Sequence, residues 1–129
     1  MRFARWLFLI SGAWGVFVLI PHYLMEQTIN ETQPPAITHP EYYYGFIGVG
    51  LAWQIAFFII GSDPVRFRPM MLPSGIEKLS FAVATIALYA AGRVPMAVLG
   101  AGLVDLVFGA LFLIAWWLVG RVLAPADHE

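Results

Sequence analysis

No cysteine occurs in this chain of 129 residues. Disulfides, thiolate metal sites, iron–sulfur ligation and cysteine nucleophiles are thereby excluded. Charge is almost as scarce: Asp, Glu, Lys and Arg make up 12% of the residues, against about 25% in an average soluble domain. The net charge is −1, so no basic excess points to nucleic acid. Also missing are HExxH, GxSxG, a Gly-rich phosphate loop and a pair of histidines within an apolar run suited to haem. The sequence therefore assigns no catalytic residue, cofactor or metal.

What fills the chain instead is apolar: 60% of the residues are hydrophobic. A water-soluble protein this small could not bury so much, and lipid is the solvent that explains the surplus. A bilayer core about 30 Å thick needs roughly 20 apolar residues in a helix. Runs over 6–25, 42–61, 76–92 and 96–123 meet or approach that length. Arg2 and Arg5 ahead of the first run imitate a secretory signal. The run is longer than an ordinary signal core and no A-x-A site follows, so a retained membrane helix is expected. The reading is an all-α integral membrane protein: a four-helix antiparallel bundle forming a single transmembrane domain over 1–129.

The third run is the shortest and carries Glu77 and Lys78 at its start, where both are expected to snorkel to the interface. Four spans put Arg2, Arg5, Arg66, Arg68, Lys78 and Arg121 on one side and Arg93 alone on the other. The positive-inside rule then makes both termini and the 62–75 loop cytoplasmic. Tyr23, Tyr42, Tyr43, Tyr44 and Tyr89 fall at the outer interface, and Trp6, Trp116 and Trp117 at the inner one, as aromatic anchors do.

In the charged loop, Gly61 reads as a left-handed cap and Asp63-Pro64 as a turn. Pro69 and Pro73 keep the chain extended until Ser74-Gly75-Ile76-Glu77, which fits a capping box. Arg66 and Arg68, one residue apart, would point the same way in an extended loop. With Lys78 they form a candidate site for an anion or lipid headgroup.

Asp105 stands out because a carboxylate about 15 Å along a helix counted from Pro95 lies near mid-bilayer, where insertion costs about 2.5–3.5 kcal/mol. Gly102, Asp105, Gly109, Phe112 and Trp116 share one helical stripe, expected to face inward. Gly102 and Gly109 there, and Ser11 and Gly15 in the first span, are helix-packing candidates. Gln54 is the expected hydrogen-bond partner for the Asp105 helix or for Ser80. Trp14, Gln54, Glu77, Ser80 and Asp105 are the candidate lining of an intramembrane pocket. His22 and His39 match no metal-ligand spacing and read as interfacial caps, while His128 falls in a polar, unstructured tail.

The layout, with "DPVRFRPMMLPSGIEKLS" between spans and "GLVDLVFGALFLIAWW" in the last, resembles small four-helix membrane proteins of bacteria, including the DoxX-like group. That resemblance implies a bacterial inner-membrane location and carries over no catalytic residue. The function expected first is a non-catalytic accessory or assembly subunit of a larger membrane complex, such as an electron-transport or photosynthetic one. Besides the lipid bilayer, its expected partners are other membrane subunits or further copies of itself. The alternative is a lipid- or quinone-binding protein, or an isomerase-type enzyme, using Asp105 or Glu77.

Overall fold

A computed structural model describes residues 1–125 and contains no strand among them; His128 lies outside the described residues. Five α-helices follow in order: α1 (Arg2–His22), α2 (Glu26–Thr32), α3 (Pro40–Ser62), α4 (Met71–Ala90) and α5 (Met96–Leu123), with a 3-10 turn at Arg68–Met70 before α4. α1, α3, α5 and the stretch Arg68–Ala90 are long and apolar enough to cross a membrane. With their large side chains exposed along most of their length, this is a small multi-pass membrane protein.

The helices pack as two antiparallel hairpins, α1 with α3 and α4 with α5. The hairpins meet mainly along α1 and α5, whereas α3 and α4 barely touch. Lipid is as apolar as leucine, so close packing rather than water exclusion holds such helices together. Gly102 lies against Thr85 and Gly109 against Leu79 and the stem of Lys78, so α5 and α4 approach closely. Ser11 is fully buried in α1.

The end of the bundle where α1 begins and α5 ends is sealed by aromatic rings. Phe8, Phe57 and Phe112 are fully buried. Phe8 stacks on Phe112 with centroids 4.1 Å apart, and Phe57 meets Phe112 edge-on at 5.0 Å. Ala4, Leu7, Ile60, Met71, Ala115 and Val119 complete this core.

Two helix boundaries differ from the sequence expectation. α4 starts at Met71, so Ser74 lies inside the helix and its hydroxyl donates to the carbonyl of Met70 at 2.6 Å instead of capping position 77. Pro73 does not prevent this, because amides in the first helical turn have no intrahelical acceptor to lose. Likewise α3 runs through Gly61, which packs against Leu9, and ends at Ser62, with Asp63 leaving the helix in a non-helical conformation. The left-handed cap belongs to Gly92 (φ 70°), where Gly92 and Arg93 amides donate to the Tyr89 and Leu88 carbonyls in a Schellman closure. Asp63 does make its turn, accepting from the Arg66 amide at 3.1 Å.

The 26–41 connection holds the short helix α2, unforeseen because a polar segment of seven residues has no apolar period to reveal it. It is tied in place by side chains. Tyr44 donates to Glu26 at 2.7 Å, Tyr43 donates to the His22 carbonyl, and Asn30 accepts from the Ile37 amide at 2.7 Å.

Candidate functional site

Above the phenylalanine seal the helices part around a cavity of about 180 Å³. Its floor is set by α4. A helix that begins at Met71 points Met71, Ser74, Lys78, Ala82 and Thr85 along one buried stripe. Lys78 is therefore 4% exposed and lies within the bundle rather than at the interface. Its ammonium donates to Asp105 at 3.3 Å and lies 4.0 Å from Glu77. Beneath it are the faces of Phe57 and Phe108, with centroids 5.3 and 5.9 Å away, close enough for cation–π attraction. An ammonium alone in this setting would be very costly, and it is kept by a carboxylate and two ring faces.

The partner of Asp105 is thus Lys78, and Gln54 bonds neither Asp105 nor Ser80. Gln54 is nonetheless at the site. It is 1% exposed; its amide nitrogen donates to the Gly50 carbonyl at 2.8 Å, and its oxygen has no partner. Gly15 makes this placement possible, since a Cβ there would collide with the Gln54 amide. One carboxylate oxygen of Glu77 is also buried without a hydrogen-bond partner. Such orphaned acceptors cost about 1–3 kcal/mol each unless something donates to them.

The remaining walls are apolar or aromatic except for His22 of α1. Trp14 and Val18 come from α1, Phe46 from α3, Phe81 from α4, and Ala101 and Val104 from α5. Trp14, Gln54, Glu77 and Asp105 therefore line one cavity, with Lys78 among them. Ser80 is exposed outside it, on a lateral groove between α3 and α4 that also touches Val49, Trp53 and Glu77.

Arg66 and Arg68 go to different neighbours. Arg66 lies over Phe67, while Arg68 donates to the Trp116 carbonyl at 2.8 Å and stacks on the Trp116 ring at 4.5 Å. With Lys78 buried, these three cations do not share a surface. At the opposite end His22 is bonded to the Val18 carbonyl and His39 to Glu41. Among the described residues, no group of His, Asp and Glu is arranged to hold a metal ion.

No known family, curated protein or solved structure matches the chain. What the structure bears out of the expected resemblance is four long apolar helices, as in a small four-helix membrane protein.

Proposed function

We propose that this protein binds a small membrane-soluble molecule in the cavity between its helices. One observation carries the reading: the buried amide oxygen of Gln54 has no partner and lines a cavity that also holds Glu77, Lys78 and Asp105. Buried polar atoms are almost always satisfied, and an exception beside a cavity calls for a water, an ion or a ligand. The cavity's size suits a single ring, since an engineered void of about 150 Å³ binds benzene. Asp105 holds Lys78 in place, and Glu77 and Gln54 offer the free polar contacts. Acid–base chemistry on the ligand by Glu77 is compatible with this arrangement, but binding is the function the geometry supports.

The resemblance in layout favours a bacterial inner-membrane location, and the positive-inside distribution favours a cytoplasmic sealed end, which would make the cavity the outer-facing half. Nothing comparable favours an accessory subunit, because the exposed apolar side chains are those that lipid itself requires. Native mass spectrometry of the protein, extracted from its own membrane in mild detergent, tests the binding reading. A stoichiometric small-molecule mass on the wild type that is lost in Asp105→Asn, with the helical spectrum unchanged, is the expected result. A bare chain in both, or a chain held only in a larger protein assembly, would refute it.

A further inference from the structure

The chemical class of the ligand follows from charge and hydrogen bonding at the same cavity, and the inference rests on the binding reading above. Lys78 is the one cation of the cluster, and it faces two carboxylates, Asp105 at 3.3 Å and Glu77 at 4.0 Å. Asp105 takes the hydrogen bond, which leaves Glu77 with the weaker contact and an unpartnered oxygen. The other orphan, the Gln54 oxygen, is also an acceptor. The two polar atoms at this cavity that have no partner at all are thus both acceptors, and with both carboxylates ionised the formal charge of Glu77, Lys78 and Asp105 together is short by one positive unit.

A quinone or ketone offers only acceptors: it could take a spare N–H of Lys78, but would leave both orphaned acceptors and the charge as they stand. An anion would add repulsion to the surplus carboxylate. An alcohol or phenol would satisfy one acceptor and leave the charge as it stands. A protonated amine does both: its N–H groups can serve Glu77 and Gln54, and its charge balances the second carboxylate. The walls suit such a group, since Trp14, Phe46 and Phe81 present aromatic surface that attracts cations and accepts a ring. The route suits it as well. Glu77 lines both the cavity and the lateral groove where α3 and α4 separate, so an amphiphile arriving from the lipid meets this carboxylate on its way in.

We infer that the ligand is a small lipophilic amine, bound as its ammonium by Glu77 and Gln54 and reaching the cavity between α3 and α4. Benzylamine, benzyl alcohol and benzoate share a ring that fits the cavity and differ in the polar group. Their affinities for the purified full-length protein in lipid nanodiscs, measured by calorimetry with empty nanodiscs as the blank, test the assignment. The expected order is benzylamine at least about tenfold tighter than benzyl alcohol, with no saturable binding of benzoate. Glu77→Gln should abolish the preference for the amine, bringing its affinity down to that of the alcohol. Equal binding of amine and alcohol by the wild type would overturn the amine assignment while leaving a ring-binding cavity in place. So would a preference that survives Glu77→Gln. Absence of saturable binding for all three probes would overturn the binding reading as well.

Discussion

Toward the termini the four long helices close on Phe8, Phe57 and Phe112, packed ring against ring; toward the 26–41 connection the same helices separate around a polar cavity. The boundary between the halves is the Lys78 ammonium, which rests on Phe57 and Phe108 below and bonds Asp105 beside the cavity. The contrast shows how a small membrane protein can keep charges inside itself. One half supplies the dispersion energy that lipid cannot replace, and the other spends part of it on groups that no packing argument requires.

That contrast can be broken at the seal. Phe112→Ala would open a second void where three rings now meet, and should lower stability by about 3 kcal/mol. That is near the low end for truncating a soluble core, because lipid rather than water is the reference here. Unfolding in graded denaturing detergent checks this. A cost below that of Val18→Ala, which only enlarges the existing cavity, would mean that the seal is no firmer than the hollow half. A smaller effect sharpens the picture at the membrane edge. Arg68→Ala removes one charged hydrogen bond to the Trp116 carbonyl and one cation–π contact, and the same assay should show a loss of about 1–2 kcal/mol. Ligand affinity should not change, because Arg68 touches the sealed end only.

The sequence made the spans legible through length and hydropathy, and the inward stripe of α5 through the spacing of Gly102, Asp105, Gly109, Phe112 and Trp116. Gly102, Gly109 and Phe112 are all buried along that stripe. Lys78 was hidden by a boundary. With a capping box at Ser74, Lys78 falls in the first turn and reads as an interfacial cation; with the helix starting at Met71 it lies deeper and on the buried face. The inward stripe of α4 was readable in the spacing of Met71, Ser74, Lys78, Ala82 and Thr85, but only once Pro73 was allowed inside the first turn. The unmet demand of Gln54 depends on where Gly15 and Gly50 sit across the α1–α3 seam, which local spacing does not encode.

The absence of native cysteine allows a direct test of the two-halves account, since a single introduced thiol reports without background. Val104 and Ala115 lie equally far from opposite ends of α5, the first lining the cavity and the second fully buried in the seal. The rate at which a small polar methanethiosulfonate reagent modifies Val104→Cys and Ala115→Cys in nanodiscs open to both faces is the measurement to make. The reagent needs both access and a hydrated thiolate. The account predicts that Val104→Cys reacts at least about tenfold faster, because only the cavity half admits water and the reagent. Equal rates, or faster modification at position 115, would contradict it.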